Sequence, residues 1–296
     1  SNLRDALVNG TNVLAIHGLN QTKNSSDFLI LPRLDGVLNL FSAATPPTQL
    51  AEPTPGAANV GAYIPTTADA TWSHPRGFYD APFALTLSCA TAGATIRYTT
   101  NFEEPTLTYG TIYNGPIPIN KTTCIRTFAY TNGYLPSACS TRTFIFPAQV
   151  ATQAANQTAA GFTNMWVTSS GTAVSADYGM DQRITGPSDN YGGVYRTSIT
   201  NDLRAIPTVS IVTTLSNLFN RYAGIYANPG GVGDNWERSC SFEYFNDPRD
   251  TNGTQVNCGL RIHGEANRSV NNRKHSLRLL FKTAYGDGKL KYPLFE

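Results

Sequence analysis

Between residues 72 and 147, apolar and polar positions alternate in short runs, "FALTLSCA", "TIRYTT", "GPIPI", "CIRTFAY" and "STRTFIF", punctuated by Thr-Ala-Gly, "EEPT" and Asn-Gly. Successive side chains on a strand point to opposite faces, so these runs predict a small antiparallel sandwich of immunoglobulin or fibronectin type. Residues 205–296 carry a second β-rich pattern. There "IPTVSIVTT" predicts a strand, "LSNLFNRYAGIY" a short helix and turn, "SCSFEYF" and "VNCGLRIHG" a hairpin, and "KHSLRLLFK" the next strand. Residues 148–204 lack sustained periodicity and read as an extended linker with short helices: one in "QVATQAANQTAAGF", and one or two turns in "YRTSITNDLRAI" from the Asn201–Asp202 start signal. Residues 42–71, rich in Pro, Thr and Ala, read as a linker. Upstream, "TNVLAIHGL" and "FLILPRL" flank a polar loop. A lone hairpin is marginal in water, so residues 1–41 are expected to be the terminal strands of an incomplete β-sandwich. The fold class is therefore mostly β.

Strand phase gives the first candidate chemistry. In "VNCGLRIH", Val256, Cys258, Leu260 and Ile262 share one face; Asn257, Gly259, Arg261 and His263 share the other. In "KHSLRLLFK", Leu277, Leu279 and Phe281 oppose Lys274, Ser276, Arg278 and Lys282, with Leu280 interrupting. If the strands pair, Arg261, His263, Lys274, Ser276 and Arg278 converge, and the loop adds Arg268 and Ser269. Such donors suit a triphosphate, and they equally suit a solvated basic face, because no Walker or GxGxxG motif is present.

Composition narrows the field. The 296 residues carry a net charge of +2, with 14% charged, too weak a balance to predict nucleic acid or an anionic membrane as partner. No apolar run approaches the roughly 20 residues of a membrane span. The turn-rich, Thr- and Asn-rich composition suggests an extracellular protein, and the chain opens and closes as though cut from something larger. Of the five cysteines, Cys240 and Cys258 flank "NDPRDTNG" almost symmetrically, and Cys124 and Cys139 flank "YTNGYLP" less so. Each pair can be a cross-strand disulfide or two small buried thiols, and Cys89 is left as a buried strand residue. Neither a CxxC pair nor a histidine cluster is present, so no metal site is expected.

Other chemistries find little support. Glu103–Glu104 lie in a predicted turn, and Asp177 and Asp181 in a predicted loop, with nothing to set either pair across a glycosidase cleft. No G-x-S-x-G elbow and no D-x-D-x-D-G calcium loop occurs. Sequons at Asn9, Asn20, Asn24, Asn120, Asn156, Asn252 and Asn267 are what an Asn- and Thr-rich chain yields by chance.

Three resemblances add to this. The strands within 1–41 weakly resemble the end of a galactose-binding-like jelly roll. "ATIRYTTNFEEPT", "YNGPIPIN" and "IRTFAYTNGYLPS" resemble the fibronectin-like module at the C-terminus of chitobiases and β-hexosaminidases. That module usually reads "TIRYTTDGSEPT", so Asn101 and Phe102 depart from it at the turn. It is non-catalytic, which implies core or packing roles for Trp72, Phe78, Tyr79 and Tyr98. Finally, "DYGMDQRI", "DLRAIPTVSIVTTLSNLFN", "GIYANPG", "WERSCSFEYF", "GLRIHGEANR" and "KHSLRLLFKTAYGDGKLKYPLF" resemble the CotH family of atypical kinases related to spore-coat protein H. This implies that residues 205–296 are a partial α+β nucleotide-side lobe, with Lys274 and Arg278, joined by Ser276, toward the phosphates and Arg268 and Ser269 in the loop above them. The family's catalytic and metal-binding aspartates would lie in a further lobe, so no catalytic residue is assigned here; ATP with Mg²⁺ or Mn²⁺ would serve the full-length protein only. The expectation is a non-catalytic piece of an exported bacterial multidomain protein, structural or adhesive. Its partners would be neighbouring chains or domains, or else a protein substrate or a glycan. A full-length kinase and a carbohydrate-binding module are the alternatives.

Overall fold

In the computed structural model the chain separates into two units, residues 1–45 and 46–296. The structure describes residues 49–50, 63–187, 189–247 and 252–294, all in the second unit. The expected N-terminal hairpin and most of the 42–71 linker lie outside the described residues.

The first described strands are β1 (Gln49–Leu50), β2 (Tyr63–Ile64), β3 (Ala70–Trp72), β4 (Gly77–Phe78), β5 (Phe83–Leu85) and β6 (Leu87–Cys89). They are followed by β7 (Thr95–Thr99), β8 (Thr111–Ile112), β9 (Ile117–Ile119), β10 (Thr123–Tyr130) and β11 (Ser140–Ile145). A five-stranded sheet in the order β4-β11-β10-β7-β8 faces the pairs β3-β6 and β5-β9, as the alternating runs predict. Its core holds Trp72, Leu85, Leu87, Ile96, Ile117, Ile119, Ile125, Ala129, Phe144 and Phe146. Burying each large apolar side chain stabilises the module by about 2 kcal/mol before entropy. Strand β10 shows the logic: Ile125 and Ala129 enter the core, while Cys124 and Arg126 point to the opposite face.

Residues 148–204 are more ordered than a linker. Helix α1 (Pro147–Ala151) starts on a proline, whose fixed φ suits the first helical turn. The pair β12 (Met165–Val167) and β13 (Ala173–Ser175) then forms, with Trp166 and Val174 buried against Ala227. Helix α2 (Gln182–Thr185) is capped by Asp181, and α3 (Val194–Ala205) runs 12 residues. The Asn201–Asp202 signal therefore sits inside α3. The helix begins instead at Gly193, with φ +83°, where Asp189 accepts the N–H groups of Tyr191 and Gly193.

The last sheet contains β14 (Thr208–Val212), β15 (Arg238–Phe245), β16 (Thr254–Ile262) and β17 (Leu277–Leu280) in sequential order, with α4 (Leu215–Phe219) between β14 and β15. Cys240, Phe242, Cys258, Leu260 and Ile262 form its apolar face, covered by Ile225, Trp236, Leu290 and Leu294.

Candidate functional site

The polar face of this sheet is where the sequence placed its cations. Leu260 stands opposite Leu279, and Arg261 opposite Arg278, so the two arginines share one face as expected. Like charges in direct register repel. Arg261 is relieved by its own carboxylates: its Nε donates to Glu237 Oε2 at 2.7 Å, and its Nη2 pairs with Glu237 and Asp234. Lys282 Nζ lies 2.9 Å from Glu237 Oε2 and 3.3 Å from Asp234 Oδ1, and the Tyr285 hydroxyl donates to Glu237 Oε1 at 2.9 Å. Burial pushes the Glu237 carboxyl up, but bonds from Lys282, Arg261 and Tyr285 outweigh it and hold the group below its ordinary value. Gly259 makes room for this network, since a Cβ there would lie 2.6 Å from Glu237 Oε1. Arg261 and Lys282 are thus engaged within the chain.

The five proposed phosphate contacts do not assemble into one site. Lys274 is not on a strand, because β17 begins only at Leu277. His275 turns inward, buried, with its ring edge-on to Tyr226 at 4.8 Å and Nδ1 2.5 Å from the Asn267 carbonyl. That inward turn puts Lys274 in a bend, where it lines a cleft of about 610 Å³ with Asp177, Asp181 and Arg183. There Asp181 is held down to about 2 by hydrogen bonds from Arg183, with a smaller contribution from Lys274. Arg268 is a clasp: its guanidinium donates to the carbonyls of Gly264 (2.6 Å), Pro229 (3.0 Å), Gly231 (2.7 Å) and Ile262 (2.7 Å). A guanidinium engaged by four carbonyls pins two loops together and is not presented to a phosphate. Ser269 is exposed at the end of the 266–268 turn, and Ser276 Oγ accepts from Asn267 Nδ2 at 2.9 Å. Of the five, Arg278 alone stands exposed on the sheet face itself.

The rest of the polar face meets the sandwich. Glu243, fully buried on β15, accepts from the Thr143 N–H at 3.2 Å and from its hydroxyl at 2.5 Å, and lies 3.3 Å from Arg76 Nε. The Thr143 hydroxyl is also 2.8 Å from Ser210 Oγ, and Asn257 Nδ2 donates to the Cys139 carbonyl at 3.0 Å. Thr214 Oγ1 donates to Glu103 at 3.2 Å, and Arg204 pairs with Asp80 at 2.5 Å. Burial pushes the Glu243 carboxyl above its ordinary range, and Arg76 and Thr143 only partly pull it back. The sequence reading placed Glu243 only within a predicted hairpin strand, and nothing in the sequence signalled that a second sheet covers it. Arg126 lies on the matching face of the sandwich, buried, and donates to the Phe102 carbonyl at 2.9 Å and to Glu104 at 2.6 Å. Glu103 and Glu104 are thus each engaged, by Thr214 and by Arg126.

Beside this joint lies a cleft of about 740 Å³. Lys121 is the one charged residue in its lining, and Asn101, Gln153 and Gln157 supply amides. Phe102, Phe162 and Tyr178 form an aromatic row there, with centroids 5.1 and 5.4 Å apart. Phe102 occupies the glycine position of the turn and keeps a glycine-like φ of +71°. Trp72 belongs to the sandwich core, with Tyr79 and Tyr98 packed against it, while Phe78 packs edge-on to Phe245 at 6.3 Å.

All five cysteines are free thiols. Cys240 faces Cys258 in register, as the symmetric spacing implies, with Sγ atoms 3.4 Å apart. Cys124 instead faces Thr143. Cys139 is four residues away along that strand, about 13 Å at strand rise, so of the two readings left open for Cys124 and Cys139 the register disfavours the cross-strand bridge. Cys89 is half-buried and donates to the Ala68 carbonyl. No group of three or more His, Cys, Asp or Glu gathers around a metal position among the described residues.

The described residues thus define a mostly β protein built around a small β-sandwich. A family model, the chitobiase/beta-hexosaminidase C-terminal domain, matches residues 74–141. No curated protein and no solved structure matches the chain.

Proposed function

We propose that the chain is a non-catalytic part of an exported or cell-surface bacterial multidomain protein, serving to space, anchor or assemble neighbouring chains or domains. One observation carries this reading: the polar sheet face that a nucleotide would need is filled from within, by Glu243 with Thr143 and Arg76 at one end and by Glu237 with Arg261 and Lys282 at the other. A face consumed by its own counter-charges supports a stiff joint between modules. The match over residues 74–141 supports an accessory role. Among the described residues no helix is long and apolar enough to cross a membrane.

The test is titration of ATP with Mg²⁺ or Mn²⁺ into the chain, followed by calorimetry. No saturable heat is expected. Binding that Lys274→Ala or Arg278→Ala abolishes would overturn the proposal. It would favour the alternative, in which this is the nucleotide-side lobe of a CotH-like kinase whose full-length form phosphorylates exported proteins on Ser or Thr. The motifs between "DYGMDQRI" and "KLKYPLF" motivate that alternative. A carbohydrate-binding role is favoured by the aromatic row and near-neutral lining of the 740 Å³ cleft. Glycan-array binding lost in Phe162→Ala would support it, and an array without hits would dismiss it.

A further inference from the structure

We infer that Cys240 and Cys258 are a built disulfide site that closes when the protein folds in an oxidising compartment. Three independent features converge on the pair. First, the two residues are direct antiparallel partners, Cys240 opposite Cys258. Such partners have Cα atoms about 4.5–5.5 Å apart, inside the range that a disulfide spans. Second, the sulfurs already point at each other, at 3.4 Å, so side-chain rotation rather than backbone movement closes the bond. Third, both are buried in the apolar face, at 2% and 0% exposure, in one cluster with Ile225, Phe242, Leu260 and Ile262. A bridge formed there is shielded from reductants.

The chemistry balances through a disulfide-bearing oxidant, either a small-molecule or a protein disulfide. Either sulfur can donate to the other, and in one of the two possible orders Cys258 ionises first. The Cys258 thiolate attacks one sulfur of the oxidant and expels the other as a thiolate. The Cys240 sulfur, losing its proton, then attacks the mixed disulfide at Cys258 and expels the second thiolate. One S–S bond breaks in the oxidant and one forms between the strands. Two electrons pass to the oxidant, and two protons leave with its thiols. Because both thiols are covered in the folded sheet, the exchange belongs to folding, before the two strands are packed. Cys89, Cys124 and Cys139 have no register partner of this kind and stay reduced.

The whole chain is refolded with oxidised and reduced glutathione, then denatured, alkylated and digested. The expected result is a peptide linking Cys240 to Cys258, two mass units lighter than its reduced components, with the other three cysteines alkylated. Alkylation of all five, or a link from Cys240 to another cysteine, overturns the inference. In parallel, reductant lowers the melting temperature of the oxidised wild type and leaves Cys240→Ala/Cys258→Ala unmoved. An equal response from both overturns it as well. If the double variant does not fold, Cys258→Ser alone replaces it.

Discussion

The two faces that meet at the joint are built from similar residues but satisfy their buried charge in opposite ways. On the sandwich side, Arg126 closes its bonds inside its own module, on the Phe102 carbonyl and Glu104. On the other sheet, Glu243 takes its partners, Thr143 and Arg76, from across the boundary. The sandwich therefore compensates its most deeply buried charge, Arg126, unaided, whereas Arg76 of the sandwich and Glu243 of the C-terminal sheet meet only when the two are docked. An uncompensated buried charge is among the costliest defects a fold can carry.

The largest effect expected from this asymmetry is in the sandwich. Arg126→Ala strands the Phe102 carbonyl and empties a buried volume, and should cost about 3–5 kcal/mol in denaturant unfolding. If the loss stays below about 1 kcal/mol, the sandwich does not depend on its internal pair. Next, Glu243→Ala should cost about 3 kcal/mol and split unfolding of residues 46–296 into two transitions, because the lost contacts are those across the joint. A single sharp transition in that variant would break the comparison.

The joint should also respond to pH. The folded Glu243 carboxyl titrates above its unfolded value of about 4.5, so the native state holds the proton more tightly. Its contribution is complete below that value and declines as pH rises through the raised folded pKa. The stability difference between wild type and Glu243→Gln should therefore move against the wild type as pH increases from about 4.5. A flat difference would mean that the carboxyl is not buried in solution.

A smaller effect concerns Phe102. Its left-handed backbone costs about 1 kcal/mol, offset by the ring pair with Phe162. Phe162→Ala keeps the strain and loses the contact, so it should destabilise by about 1–2 kcal/mol. Phe102→Gly loses the contact but releases the strain, and should cost less. The reverse order would show that the turn is unstrained. Smallest of all, Arg278→Ala on the exposed end of the face should change stability by less than about 0.5 kcal/mol.

Much of this frame can be read from residue order. Alternation located the sandwich strands, the β15–β16 hairpin and the Cys240–Cys258 register, because period and turn symmetry are local properties. It also set Arg261 beside Arg278. What it could not supply was the cover over each face. Period two distinguishes two sides of a strand, yet Ser241 and Glu243 look the same in sequence whether water or another sheet lies above them. Lys274 was misplaced because His275 leaves the strand pattern to reach Tyr226, a contact made across 49 positions. Helix α3 was underestimated because its start depends on Gly193 and on Asp189 four residues earlier, not on the Asn-Asp pair.

The unequal sharing of bonds across the joint makes the two halves unequal as genetic cassettes. A recombination event that cut after residue 147 and moved the sandwich elsewhere would deliver a ledge of threonines and the Arg76 guanidinium, groups that water solvates readily. The reciprocal transplant would arrive with the naked carboxylate of Glu243 and would need an acceptor that brings its own arginine.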